Sequence, residues 1–340
     1  MGLRRIVMLG AAIGALASGS AFAGEGKLSG EAFGDWYWVV ADHDSAIEDV
    51  NGLWLRRANL SYDYKWDDSF SGRVRVEAMT PGDFESDDIM FTFIKDAWVK
   101  YTTGTHNLLL GLSQVPALSL IEEMWGMRYL EKAPAELQRL VASRDMGLAL
   151  QGTFDSEKVF GYHAMIANGN GQAGETNAEK KGYAALRFRP GNFAVEAYAD
   201  YEDRVDSGDR FTYHGFAGYK VDNLRAGVQY VRQMRKETGE DVEIRILSGF
   251  ATAELVEKWW AFARVDRNFD PNPGGDDIAY IPFAETAANT FVLAGFDFWP
   301  TENVGFSPNV EAVFYDDPDD TSLEKPDTDV IPRLTFHFTF

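Results

Sequence analysis

Cysteine is missing altogether from the 340 residues. That excludes a disulfide framework, a thiolate metal site and a lipid-modified cysteine. Bases are scarce, with 32 Lys and Arg against 53 Asp and Glu and a formal charge of −21. So acidic a chain repels phosphate backbones, and no nucleic acid is expected as a partner. Beyond residue 23 the chain also lacks any apolar run near the roughly 18 residues that a membrane-spanning helix needs. Aromatic residues, by contrast, are plentiful. They make up 14% of the chain within a hydrophobic total of 45%, enough to argue for a folded core despite the charge.

The first residues read as a targeting signal. Arg4 and Arg5 form a basic start, Ile6 to Leu16 an apolar stretch, and Ala21-Phe22-Ala23 a small-x-small cleavage site. Residues 1–23 are therefore expected to be a signal peptide, leaving 24–340 as one exported domain.

Periodicity sets the fold class. In Arg333-Leu334-Thr335-Phe336-His337-Phe338-Thr339-Phe340 apolar and polar residues alternate, the pattern of a two-faced strand. The alternation recurs at Arg73 to Ala78, Leu186 to Arg189 and Phe193 to Asp200. About sixteen strands are expected, near 29–40, 52–65, 69–79, 91–102, 105–113, 144–154, 157–168, 181–189, 192–202, 211–221, 223–235, 242–253, 256–268, 289–298, 302–315 and 329–340. The connections between them alternate short and long, as in an all-β, antiparallel, up-and-down transmembrane barrel. An even strand number puts both termini on the side of the short turns, which is the periplasmic side.

Charge follows the same plan. Acids crowd the long connections, for example Asp42, Asp44, Glu48 and Asp49, or Asp316, Asp317, Asp319 and Asp320. Bases lie on the strands' polar faces, where lumen water rather than lipid would surround them. Arg57, Arg73, Arg75, Arg187, Arg189 and Arg225, together with Glu77, are the expected pore-lining residues of the wall. Lys95 and Asp96 are adjacent and cannot both face the lumen of a regular strand, so a bulge or a position near the interface is expected there.

The connection from Val115 to Ser143 is the longest and has helical character on both sides of Ala133-Pro134. Folded into the lumen, it would offer Glu122, Glu123, Arg128, Lys132, Glu136 and Arg139 to passing solutes, and charged rings set ion selectivity. The competing reading is a lid packed on neighbouring loops.

Two segments, Leu55-Arg56-Arg57-Ala58-Asn59-Leu60 and Phe70 to Glu77, resemble the N-terminal strands of the phosphate-selective porin O and P family. Ile94 to Tyr101 with Leu108 to Pro116, Ser143 to Leu148, and Pro308-Asn309-Val310 are similar to later elements of that family. The resemblance implies a 16-stranded, homotrimeric outer-membrane channel with an inward-folded third loop. It implies lipid and lipopolysaccharide around the barrel and small hydrophilic solutes within it. Phosphate-selecting members carry a lysine cluster at the constriction. Here the loop's only lysine is Lys132, so a general pore is favoured over an anion-selective one.

No enzyme chemistry is expected. The five histidines, His43, His106, His163, His214 and His337, stand isolated in sequence, and no HExxH or GxSxG motif occurs. No cofactor or metal site is expected, and the Asp316–Asp320 run reads as a solvated loop tip rather than a Ca²⁺ site. Trp36, Trp38, Trp66, Trp259 and Trp260 suit interfacial girdles. The alternatives from other classes are a barrel hydrolase and a secreted, soluble carbohydrate-binding β-protein.

Overall fold

The computed structural model describes residues 24–204, 208–236 and 241–340, so the expected signal peptide lies outside the described residues. Sixteen strands form: β1 (Glu25–Trp38), β2 (Asn51–Lys65), β3 (Phe70–Met79), β4 (Phe91–Thr103), β5 (His106–Gln114), β6 (Arg144–Thr153), β7 (Phe160–Ala167) and β8 (Lys181–Phe188), followed by β9 (Phe193–Glu202), β10 (Arg210–Val221), β11 (Leu224–Arg235), β12 (Val242–Val256), β13 (Trp259–Asn268), β14 (Asn289–Thr301), β15 (Val304–Tyr315) and β16 (Asp329–Thr339). Each pairs with its sequence neighbours. β1 closes the ring on β16 in antiparallel register, from Glu31 opposite Thr339 to Tyr37 opposite Arg333. Closure leaves no sheet edge unpaired, which is what lets strands cross a bilayer.

The alternation sorts side chains by face. On β16, Arg333, Thr335 and His337 are buried, while Leu334 and Phe338 are 44% and 39% exposed. Leu108, Leu110, Leu148, Leu150, Ile166 and Leu186 continue the exposed apolar outer surface, which suits lipid contact. Trp36, Trp38, Trp66 and Trp259 are exposed. Trp260 departs from the girdle expectation. It follows Trp259 directly, so it points inward, and the Arg225 guanidinium lies 5.8 Å from its ring.

Two bulges bring extra charge inside. Arg75 pairs with Asp96 but Val76 pairs with Ile94, so Lys95 is the additional residue, and both Lys95 and Asp96 are buried. The expected bulge in that strand is present. A second, unforeseen register shift separates the Phe33–Arg57 and Asp35–Trp54 pairs, and it turns both Arg56 and Arg57 inward.

Short turns gather at one end of the barrel and long loops at the other. Three loops matter below: the first (39–50), the third (115–143) and the seventh (269–288). The third contains the two helices of the described residues, α1 (Ser119–Trp125) and α2 (Pro134–Leu137). It folds into the barrel, as the resemblance implied.

The interior differs from the mixed, charged wall expected from sequence. Leu118, Leu120, Ile121 and Met124 pack on inward-facing Ala149, Met165, Tyr183, Ala185, Tyr198, Phe216, Val231, Ile244 and Ile246. Trp125, Met127, Leu130 and Leu137 pack instead with Phe262, Phe291, Leu293, Val313 and Ile331, joined by Ile278, Ile281 and Phe283 of the seventh loop. Fully burying each large apolar side chain stabilises by about 1.5–3 kcal/mol. The loop therefore lies on a conventional hydrophobic core, and water is left only the remaining side of the barrel.

Candidate functional site

The third loop owes its shape to local sequence. Leu120, Ile121, Met124 and Trp125 fall on one helical face and are buried, while Ser119, Glu122 and Glu123 take the opposite face. α1 ends at Gly126 with φ of 72°, its N–H donating to the Glu122 carbonyl at 2.8 Å. Pro134 starts α2, where a missing N–H costs nothing.

Irregular backbone inside a barrel must have its polar groups met. Wall side chains do this. Arg56 Nη1 donates to the Leu130 carbonyl (2.6 Å), Arg264 Nη1 to that of Lys132 (2.5 Å) and Gln233 Nε2 to that of Leu140 (2.7 Å). Arg56 also pairs with Glu131 (2.7 Å) and lies 3.4 Å from Asp35, which contacts Arg333 at the same distance. Arg333 reaches Glu311 at 2.9 Å and donates to the Tyr280 carbonyl of the seventh loop. Burial disfavours ionised Glu131, but Arg56 and Lys132 outweigh it and hold the carboxyl down at about 2.

Between the loop and the wall of β1–β4 and β6 lies a cavity of about 190 Å³. Five bases line it (Arg57, Arg75, Lys95, Arg128 and Arg144) against three acids (Glu31, Glu77 and Glu122). Most of these are paired. Arg128 spans Glu122 (2.6 Å) and Glu136 (2.5 Å), and Lys95 meets Glu77 at 3.2 Å. Arg144 and Arg75 share Asp96 at 2.5 and 3.3 Å, and Glu31 faces His337 at 3.1 Å. Arg57 is different. It is 6% exposed and has no hydrogen-bond partner or ion pair among the described residues. Its guanidinium lies within electrostatic range of Arg128, Glu77 and Glu136.

Lys132 stands beside this group. Burial lowers its pKa to about 8, with Arg57 and Arg56 adding to the effect against Glu131 and Glu136. Burial also opposes ionisation of Glu136, but Arg128 and Arg57 prevail and hold it at about 2.

The other expected pore residues are spread along the barrel. Arg73 binds Asp63 through two bonds, 2.7 and 3.0 Å, in a recess of about 520 Å³ at the turn end. Arg187 and Arg189 line a second recess there, of about 440 Å³. Arg187 joins Glu196 and the Ser119 hydroxyl at 2.5 Å each, while Arg189 holds Glu123 at 2.8 Å. Arg225 lies against Gly126, where a Cβ would come within 1.7 Å of its Nη1. Arg139 sits apart, exposed, at 3.1 Å from Asp277 of the seventh loop.

Sequence reasoning missed Arg144, Glu31 and Arg56 as constriction groups. Arg56 carries no local signal, because it faces inward only through the β2 bulge. The histidines are also less isolated than they read. His214 faces Glu196 at 3.0 Å, His337 faces Glu31, and His43 lies 3.0 Å from Asp329.

No family model and no curated protein matches the chain. Solved structures do. The anion-selective porin from Comamonas acidovorans is 10% identical with a TM-score of 0.70, the match covering 93% of this chain and 100% of that one. Salmonella typhi OmpF in complex with daunomycin is 13% identical at TM-score 0.66, with 92% and 97% covered. In-vitro folded OmpT of Vibrio cholerae, in its trimer form, is 12% identical at TM-score 0.62, with 94% and 100% covered. At such identities the likeness is one of fold, that of a closed sixteen-stranded outer-membrane porin barrel.

Proposed function

We propose that the chain is a passive outer-membrane diffusion channel whose constriction favours small anions. The observation that carries this reading is Arg57, a buried guanidinium facing a narrow cavity whose other bases, Arg75, Lys95, Arg128 and Arg144, are each paired with a carboxylate. In a confined site an unpaired cation attracts carboxylate or phosphate groups more strongly than in bulk water. The anion-selective porin of Comamonas acidovorans, with the same fold, supports the choice of sign.

The same reading makes residues 1–23 the export signal and 24–340 the barrel. It sets the turn end in the periplasm and the long loops outside, facing lipopolysaccharide. A homotrimer accords with the trimer form of the Vibrio cholerae neighbour.

The test is the reversal potential of purified protein in a planar bilayer under a KCl gradient. An anion-favouring sign is expected, and Arg57→Ala should move it toward cations. A charge pair 4 Å apart is worth about 1 kcal/mol even in bulk water, roughly a fivefold change in permeability ratio. A cation-favouring wild type would reject the anion reading, and absence of stepwise conductance would reject the channel itself.

A further inference from the structure

Three side chains from opposite ends of the sequence meet where the first loop crosses the long-loop rim. His43 Nδ1 lies 3.0 Å from Asp329 Oδ1, 3.2 Å from Asp42 Oδ1 and 3.3 Å from the Tyr315 hydroxyl. One donor atom from each of Asp42, His43 and Asp329 falls within 4.8 Å of the others. Both carboxylate side chains are fully buried, so their mutual repulsion is barely screened. Asp42 Oδ2 is buried without any hydrogen-bond partner, a condition native structures rarely leave unexplained.

We propose that Asp42, His43 and Asp329 bind a zinc-class divalent cation at the outer mouth of the barrel. Two ligands held about 2.0–2.2 Å from a tetrahedral zinc stand roughly 3.3–3.5 Å apart. The two His43 Nδ1 spacings, 3.0 and 3.2 Å, lie within a few tenths of an ångström of that, and all three donor atoms fall within 4.8 Å of one another. Each ligand is also oriented from behind, as metal ligands characteristically are. His43 Nε2 faces Asp276 Oδ1 at 3.3 Å, and the Tyr315 hydroxyl donates to Asp329 Oδ2 at 2.5 Å. The Asp44 N–H donates to Asp42 Oδ1 at 3.0 Å, and Asp42 Oδ2, buried with no hydrogen-bond partner, is a second oxygen open to the cation. The His43 backbone N–H donates to Asp329 Oδ1 at 2.7 Å and steadies that carboxylate too.

One imidazole with two carboxylates suits zinc or a neighbouring first-row ion, and offers too few oxygens for calcium. On entry the cation takes the Nδ1 lone pair, and any proton held there leaves to solvent. The adjoining recess of about 540 Å³ carries Asp83, Glu85 and Asp277 besides Asp44 and Asp276, and their field concentrates cations at its floor. Once bound, the ion would tie the first loop to β16 through Asp329. The site owes nothing to the constriction and stands whatever the channel conducts.

The test uses the full chain refolded in detergent and titrated with Co²⁺. Intense visible absorption of a four-coordinate centre should saturate at one Co²⁺ per chain. Zn²⁺ should displace it and equimolar Ca²⁺ should not. His43→Ala should weaken Zn²⁺ binding by at least tenfold in calorimetry. Asp276→Asn should weaken it roughly ten- to a hundredfold through the ring orientation alone. Heat-modifiable gel migration monitors folding of each variant. The proposal falls if wild type shows no saturable Co²⁺ spectrum, a result independent of any variant's folding. It also falls if folded His43→Ala binds Zn²⁺ as tightly as wild type.

Discussion

Gly126 meets two demands at one position: a left-handed backbone, φ 72°, and the Arg225 guanidinium pressed against its Cα. Gly126→Ala should cost about 1–2 kcal/mol for the backbone alone and more for displacing Arg225. The expected outcome is a third loop newly open to protease in a barrel that still migrates as folded. Lys132 makes a different prediction. Its ordinary pKa of 10.5 falls to about 8, so this charge beside the constriction is present below pH 8 and lost above. Anion preference, read as reversal potential, should therefore fall as pH rises through about 8, and Lys132→Met should flatten that step. Linkage gives the stability trend the same window. The unfolded chain keeps the proton to about 10.5, so stability rises between pH 8 and 10.5.

The β4 bulge is testable as an element. Deleting Lys95 would leave Ile94 opposite Val76 and Asp96 opposite Arg75, so the ladder on either side needs no change of register. The barrel should still fold, but Glu77 would lose its 3.2 Å partner and the cavity one of its five bases. Reversal potential should shift toward cations, whereas an ordinary register slip would abolish folding by turning apolar faces inward. That contrast shows what was legible in the sequence. Alternation located all sixteen strands within a few residues and even flagged this site, because two adjacent charges cannot share one face of a regular strand and a bulge was one of two ways out. The β2 bulge left no such trace, since Arg56 followed by Arg57 fits one inward and one outward charge equally well. The seventh loop was equally silent. Tyr280, with φ of 76°, donates its hydroxyl to the carbonyls of Arg56 and Thr80, more than 190 residues away. The His43 cluster escaped for the same reason, as Asp329 lies 286 positions on.

For the molecule as a whole, two charge distributions of opposite sense act at different range. The chain is at −21 and its outer recess is acidic, while the constriction presents Arg57, the one base of its lining without an ion-pair partner among the described residues. Salt screens the wide, wet mouth first, because the Debye length is about 10 Å at 0.1 M and 3 Å at 1 M. At a fixed gradient ratio, anion preference should therefore grow as mean salt is raised from about 0.05 to 1 M. A preference that shrinks over that range would place the selecting charges at the surface instead. Anchoring also belongs to this scale. Arg56→Ala would strand buried Glu131 without its cation, a loss of about 3–5 kcal/mol, and the barrel should unfold at visibly lower temperature.

Leu118, Leu120, Ile121 and Met124 are buried on the barrel wall, so lifting the third loop would wet both surfaces together. At about 1.5 kcal/mol or more per side chain, such an excursion occupies less than roughly one ten-thousandth of the time. A single open channel should accordingly give a quiet electrical trace, its current noise set by ions crossing a rigid aperture and not by flicker of the loop.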